Sequence, residues 1–162
     1  MSHKEDVKKI IQKWQGKEII IPSDITFKSL GQDTASYFLL DKPFKIFTYV
    51  DSIGCTDCQL GVLAWRALID SCNQQKMDIG FLFAVHSSDF EQFESQLKFY
   101  NFDYPIIFDY HNHFEKINKF PPAPYRTFLL DRYNKVILIG SPINKPLMWE
   151  LYKKVITQKQ FQ

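Results

Sequence analysis

Two cysteines stand at a position and a spacing that suit dithiol–disulfide exchange. Cys55 and Cys58 are separated by two residues, and they lie between the apolar run 44–50 and a segment with helical periodicity. A thiol at the N-terminus of a helix meets backbone N–H groups and the positive end of the helix dipole, which favour its thiolate. A second thiol one turn later can attack the mixed disulfide that the first one forms. The pair therefore predicts thiol–disulfide chemistry.

Zinc binding and two incidental core cysteines are the alternative interpretations of this pair. A structural zinc site needs about four ligands. The chain has no second Cys-x-x-Cys, and helical pair spacing is lacking among its four histidines, His3, His86, His111 and His113. We therefore expect no metal. The third cysteine, Cys72, falls on the apolar face of the following helix and is expected to be a buried, inert thiol.

Length and composition indicate one globular domain over residues 1–162. The chain is 45% hydrophobic with 15 phenylalanines, so it can bury a core and is not expected to be disordered. The net charge is +2 with acidic and basic residues mixed, which argues against a nucleic-acid surface. No apolar run approaches the roughly 20 residues that a membrane span needs.

Apolar periodicity and turn residues predict the order of the elements. In chain order we expect a helix near 7–14 that ends by Gly16, a hairpin of strands 18–22 and 25–28, strand 45–50, helix 57–73, strand 79–85, helix 88–100, an extended segment 104–109, a brief helix 114–117, strands 126–131 and 135–140, and a last helix from Pro146. This order predicts an α/β fold, with a mixed sheet and helices on both faces.

The same periodicity predicts which helical faces turn inward. In the helix after the dithiol the expected inward residues are Leu60, Leu63, Ala64, Ala67, Leu68 and Cys72, and in the last helix they are Leu147, Leu151, Tyr152, Val155 and Ile156. Ser87 or Ser88 is expected to cap the helix over 88–100.

The dithiol and the late strands together resemble the thioredoxin-fold superfamily. The resemblance rests on the Cys-x-x-Cys after a central strand, a proline-rich approach, the run Thr127-Phe128-Leu129-Leu130-Asp131, a turn, and the run from Val136 to Gly140. Within the superfamily the chain is most similar to TlpA/ResA-type thiol–disulfide oxidoreductases. The likeness covers roughly residues 18–157, the core, and leaves 1–17 as an N-terminal helical extension. It implies a thioredoxin-like three-layer α/β/α sandwich with a hairpin extension.

The resemblance also implies roles for the dithiol residues. Cys55 would be the exposed attacking thiol and Cys58 the buried resolving thiol, while Thr56 and Asp57 tune the redox poise. The charge of Asp57 would raise the pKa of Cys55 and favour the reducing end of the range. The implied partners are proteins with disulfides or dithiols, and no organic cofactor or metal is needed because the dithiol is the redox centre.

Three positions depart from the family pattern. Gly54 stands where a Trp is common, Gly61 where a Glu is common, and Tyr49 where thioredoxins keep a buried Asp. The acid or base that assists Cys58 is therefore missing or supplied by Asp51 or Asp57. These departures keep open an alternative function, a thioredoxin-fold binding module with little or no redox turnover.

The proline next to the thiols is also displaced. The family has a cis-proline three residues before the Phe, whereas Pro124 lies four before Phe128, so ungapped matching puts Tyr125 in that place. We favour Pro124, because cis bonds are overwhelmingly X–Pro and a bulge can absorb one residue. Arg126 stands near an arginine position of peroxiredoxins, but the approach 51–54 lacks their Pro/Thr-rich pattern, so peroxidase activity is not expected.

The compartment is expected by likeness alone. The polar start carries no signal-peptide core, which fits a cytoplasmic protein or a mature exported one. TlpA/ResA-type proteins work outside the cytoplasm, in the periplasm or the cell envelope, often on a membrane tether. We expect such a location, with a tether upstream of this chain, and keep the cytoplasm as the alternative.

Overall fold

A single mixed sheet organises the part of the chain that the structure describes. The computed structural model describes residues 2–51 and 61–160. Within these ranges seven strands pair in the order β2-β1-β5-β4-β3-β6-β7. The strands are β1 Phe27–Ser29, β2 Gln32–Asp33, β3 Phe44–Val50, β4 Ile79–Val85, β5 Ile106–Phe108, β6 Thr127–Leu130 and β7 Val136–Ile139. Strands β3, β4 and β5 run parallel, whereas β6 pairs antiparallel with both β3 and β7.

Helices cover both faces of this sheet. They are α1 His3–Trp14, a 3₁₀ helix Tyr37–Asp41, α2 Val62–Gln74, α3 Phe90–Phe99, α4 His113–Asn118 and α5 Pro146–Gln160. Side chains of α2, α3 and α5 pack in one buried cluster, and those of α1, α4 and the 3₁₀ helix pack in the other. The predicted three-layer α/β/α arrangement is confirmed. No helix in the described ranges is both long and apolar enough to cross a membrane.

The two central strands follow the sequence prediction closely. All seven residues of β3 and all seven of β4 are buried. A continuous apolar run is the pattern of a strand that is covered on both faces, whereas a half-exposed strand alternates. Successive side chains of β3 point to opposite faces of the sheet. Ile46 and Val50 pack in the cluster with α2, and Phe47 and Tyr49 pack in the cluster with α1.

The predicted hairpin around Pro22-Ser23-Asp24 is wrong, although a hairpin exists further along the chain. Strands β1 and β2 pair through a tight turn at Leu30 and Gly31, whose φ angles are 50° and 82°. A two-residue hairpin turn of this kind needs positive φ at both positions, which glycine adopts without strain. Residues 18–22 instead contribute a single bridge, between Glu18 and Lys135.

The inward face of α2 is rotated from the predicted one. Val62, Trp65, Ile69 and Cys72 are buried, whereas Leu63 is 56% exposed. The indole of Trp65 packs edge-on against aromatic rings of β4, with a centroid distance of 5.2 Å to Phe83. Burying this large ring stabilises the fold more than burying a leucine, and it sets the rotation of the helix.

The last helix and the cap of α3 also differ from prediction. In α5 Tyr152 is fully buried, whereas Leu147 is 87% and Leu151 42% exposed, so the predicted inward positions of these two leucines are wrong. The Tyr152 hydroxyl donates to the Gly140 carbonyl and holds that face against the sheet. Helix α3 is capped by Asp89, not by a serine, because the Asp89 side chain accepts from the Gln92 N–H at 3.1 Å.

Candidate functional site

A cavity opens at the carboxyl end of β3. It measures about 570 Å³ and lies between that strand end, the start of α2 and the proline-rich loop before β6. Its described lining residues are Thr48, Tyr49, Val50, Asp51, Gly61, Ala64, Trp65, Ala123, Pro124, Arg126, Thr127, Ser141, Ile143 and Asn144. Carboxyl ends of parallel strands are the usual place for sites in such folds. This cavity is the candidate functional site.

The four residues of the predicted dithiol motif, Cys55, Thr56, Asp57 and Cys58, lie outside the described residues. Their roles therefore stay predictions. The described residues on either side of them in the chain are Asp51 and Gly61, and both line the cavity.

Pro124 carries the cis peptide bond that the sequence favoured. The bond Ala123–Pro124 is cis, and Pro124 lines the cavity. The alternative, Tyr125 in the cis position, is wrong. The Tyr125 hydroxyl instead lies 3.3 Å from Nε2 of His3, so this side chain contacts the start of α1. What Pro124 does in the site is still a prediction.

Arg126 joins the end of β3 to the proline-rich loop. Its Nη1 donates to Oδ2 of Asp51 at 2.9 Å, and its Nε donates to the Pro121 carbonyl at 2.8 Å. The guanidinium carbon lies 5.5 Å from the centroid of the Tyr49 ring. Asp51, which the sequence predicted as a supporting residue, thus lies at the cavity in an ion pair that the sequence did not predict.

Tyr49 is a buried, neutral side chain on β3 that lines the cavity. Its ring stacks on Phe120 at a centroid distance of 4.7 Å, and its hydroxyl donates to Oδ1 of Asn112 at 2.5 Å. Burial raises the pKa of Tyr49, and the charges of Asp51 and Glu115 raise it further. The phenol is therefore protonated at neutral pH and has no capacity to accept a proton from a neighbouring thiol.

Two buried hydroxyls tie β3 to β6 beside the cavity. Oγ1 of Thr48 and Oγ1 of Thr127 lie 2.8 Å apart, and the two residues face each other across the antiparallel pair. Each hydroxyl satisfies the other in a buried setting, where an unpaired one would be costly. In the same strand register the Tyr49 N–H donates to the Arg126 carbonyl at 3.0 Å, which brings Arg126 beside Tyr49.

Cys72 lies away from the cavity. This residue of α2 faces the core and is 1% exposed, and burial raises the pKa of its thiol to about 11. A thiol is reactive as the thiolate, which is scarce here at neutral pH. The predicted burial of Cys72 is confirmed.

His86 and His113 contact residues that are not among those lining the cavity. Nδ1 of His86 lies 2.8 Å from the Asp109 carbonyl oxygen, and Nδ1 of His113 lies 2.9 Å from Oδ2 of Asp24. Within residues 2–51 and 61–160 no group of three or more His, Cys, Asp or Glu side chains is arranged to hold a metal ion.

The architecture is that of the thioredoxin fold. No protein-family model matches the sequence, and no curated protein matches it either. Solved structures do match: the thioredoxin domain of a thiol-disulfide oxidoreductase from Bacteroides vulgatus superposes with a TM-score of 0.62 at 10% identity, over 88% of this chain and 97% of that one.

Two further structures give the same result. A thiol:disulfide interchange protein from Bacteroides sp. matches with a TM-score of 0.60 at 10% identity, over 88% of this chain and 91% of its own. StoA from Bacillus subtilis matches with a TM-score of 0.57 at 16% identity, over 80% of this chain and 98% of its own. At these identities the likeness establishes the fold.

Proposed function

We propose that the protein is a thiol–disulfide oxidoreductase that exchanges or reduces disulfides of protein partners through Cys55 and Cys58. The observation that carries the proposal is that Asp51 and Gly61, the described residues on the two sides of the dithiol segment, line one cavity together with Pro124. The similar solved structures include proteins described as thiol-disulfide oxidoreductases, which supports the same chemistry.

Both cysteines are close in sequence to residues that line the cavity. Cys55 follows Asp51 by four positions, and Cys58 precedes Gly61 by three. This proximity in the chain supports the proposal that a partner bound at the cavity meets the dithiol.

The reaction follows from two thiols acting in sequence. The Cys55 thiolate attacks one sulfur of the partner disulfide, a Cys55–partner disulfide forms, and the partner's second sulfur leaves as a thiolate that takes a proton. Cys58 then loses its proton and attacks the Cys55 sulfur, which forms the Cys55–Cys58 disulfide and releases the partner's other thiol. The partner gains two electrons and two protons, and a dithiol donor restores the reduced chain.

Side chains around the dithiol would set its efficiency. We assign Thr56 and Asp57 to tuning of the redox poise, and Asp51 or Asp57 to receiving the proton of Cys58. Tyr49 is excluded from that last role by its buried, protonated phenol. The dithiol itself is the redox centre, so the proposal needs no metal or organic cofactor.

Reduction of insulin in the presence of a dithiol donor tests the proposal. We expect turbidity from precipitated insulin chains with the native chain, and none above the donor's own rate with Cys55→Ser. Cys72→Ser is the matched control, because Cys72 is buried away from the cavity and its removal should leave the rate unchanged. A native chain no faster than folded Cys55→Ser would contradict the oxidoreductase.

A binding module is the second candidate, and Tyr49 is the observation that favours it. With a neutral phenol in place of a buried carboxylate, activation of Cys58 loses one source of base. The module would hold peptide segments at the cavity without turnover. Peptide binding by Cys55→Ser together with absent insulin reduction by the native chain would establish this second function.

We propose a cell-envelope or periplasmic location, which rests on the family resemblance of the sequence. A tether upstream of this chain would then hold it at a membrane, with the cytoplasm as the alternative. The genomic open reading frame upstream of Met1 tests this, since it would encode a signal or an apolar anchor.

A further inference from the structure

Arg126 makes more contacts at the cavity wall than its place before a strand requires. It bonds the Asp51 carboxylate through Nη1 and the Pro121 carbonyl through Nε, and its guanidinium carbon lies over the Tyr49 ring. The side chains of Arg126 and Asp51 are only 22% and 17% exposed. An arginine is suited to such a place because its planar fork bonds two acceptors at once and keeps its charge at any ordinary pH.

Asp51 is the carboxylate at the cavity whose negative charge Arg126 balances. Among the described residues that line the cavity, the charged or titratable ones are Tyr49, Asp51 and Arg126. Glu115 of α4 acts on Tyr49 from the other side, and Asp57 adds a carboxylate within the dithiol motif. Without Arg126 every charge in this set would be negative, and negative charge disfavours a thiolate.

We propose that Arg126 is a positioning residue of the dithiol site, which holds Asp51 at the end of β3 and balances its charge so that this carboxylate does not disfavour the Cys55 thiolate. The inference rests on the proposed function of Cys55. It goes further because it gives Arg126 a role in the redox site, which Arg126 performs through Asp51. The hydrogen bond to the Pro121 carbonyl also ties the same guanidinium to the proline-rich loop.

The test is the pH dependence of Cys55 alkylation. Each variant is made in the full chain with Cys58→Ser, reduced, and treated with iodoacetamide over a pH series. Mass spectrometry of tryptic peptides then follows Cys55 in peptide 46–66 and Cys72 in peptide 67–76. Slow labelling of Cys72 shows in the same sample that the fold is intact, because this thiol is buried.

We expect Arg126→Met to raise the midpoint of the Cys55 profile by about half a pH unit, because the charge of Asp51 is then no longer balanced. Arg126→Lys should stay near the parent midpoint because it keeps the charge. Adding Asp51→Asn to Arg126→Met should return the midpoint to the parent value.

Two results would overturn the inference. One is an unchanged midpoint in Arg126→Met while Cys72 stays protected, and the other is a shift that persists when Asp51→Asn is added. If Arg126→Met opens the fold and Cys72 labels quickly, Asp51→Asn alone decides, since it should lower the midpoint by a similar amount and an unchanged value contradicts the proposal. Alkylation needs no turnover, so this test stands apart from insulin reduction.

Discussion

The two ends of β3 hold charged groups in opposite ways. At the amino end Lys45 is completely buried, and its Nζ donates to the Leu40 and Arg132 carbonyl oxygens at 2.8 and 3.1 Å. At the carboxyl end Asp51 and Arg126 keep part of their surface exposed and pair with each other at the cavity wall.

This difference separates a structural end of the strand from a functional one. The acceptors of Lys45 are backbone carbonyls, whose positions are set by the 3₁₀ helix and by the β6–β7 turn, so the ammonium group fastens these segments together. A partly exposed ion pair such as Asp51–Arg126 contributes only about 0–1 kcal/mol to stability. Its charges act instead on whatever enters the cavity. Substitutions at the amino end should therefore change stability, and those of the ion pair should change reactivity.

Truncating Tyr49 should have the largest effect on stability although it lies at the functional end of β3. Its ring is buried in the core, and the same residue lines the cavity. We expect Tyr49→Ala to cost about 3–5 kcal/mol in the free energy of unfolding, as for other buried aromatic side chains. Tyr49→Phe keeps the stacking on Phe120 and should cost about 1–2 kcal/mol, because it leaves Oδ1 of Asn112 without its donor. Urea denaturation measures both, and equal losses would show that ring packing is not the larger contribution.

Replacing Lys45 should lower stability without changing the thiols. Lys45→Met keeps the length of the side chain but leaves two carbonyl oxygens without their donor, which should cost about 1–3 kcal/mol near neutral pH. The Cys55 alkylation profile should be unchanged. A shifted profile would show that the two ends of β3 are coupled.

The pH dependence of the same variant sharpens the comparison. Burial lowers the pKa of Lys45 below its ordinary value of 10.5, against the charges of Asp131 and Asp41, which raise it. The unfolded chain then binds more protons than the folded one in the window just below 10.5, so the native chain gains stability as pH rises through it. The stability difference between native chain and Lys45→Met should widen there, and a constant difference would contradict the lowered pKa.

The sequence predicts an element of the fold correctly where its pattern of apolar residues fits a single structure. The run of β4 is apolar throughout and that of β3 is apolar except for Lys45 and Thr48, and a strand covered on both faces suits such runs. The face of α2 was predicted wrongly because Val62, Leu63, Ala64 and Trp65 are all apolar and follow one another. Periodicity cannot choose among them, and the choice depends on how the Trp65 ring fits the rings of the sheet.

The candidate site was predicted in part for a similar reason. Asp51 directly follows the predicted strand 45–50, and Pro124 was favoured by the chemistry of X–Pro bonds; in the structure both residues line the cavity and the Ala123–Pro124 bond is cis. The ion pair with Arg126 was missed because it depends on register. Thr48 lies opposite Thr127, which places Arg126 beside Tyr49, and the sequence carries no marker for that pairing.

Removing the paired hydroxyls of Thr48 and Thr127 should have a smaller effect than truncating Tyr49, and the two losses should be strongly non-additive. Thr48→Val alone leaves the Thr127 hydroxyl buried without a partner and should cost about 1–2 kcal/mol, whereas the double valine variant should be close to the native chain. A double-mutant cycle in urea measures the coupling. Additive losses would show that the two hydroxyls do not satisfy each other.

The smallest effect should come from Asp24→Asn, which compares an exposed pair with the partly buried Asp51–Arg126 pair. The hydrogen bond with His113 holds the pKa of Asp24 below its ordinary value of 3.8. A carboxylate with a lowered pKa stabilises the fold above that ordinary value, and its contribution is lost as pH falls through the lowered one. The urea midpoint of Asp24→Asn should therefore lie slightly below that of the native chain at about pH 5–6, and the two should converge in acid, below the lowered pKa of Asp24. Salt should reduce the difference at the higher pH, because an exposed pair is screened by ions. A difference that persists in acid would mean that Asp24 supports its loop through shape and not through its charge.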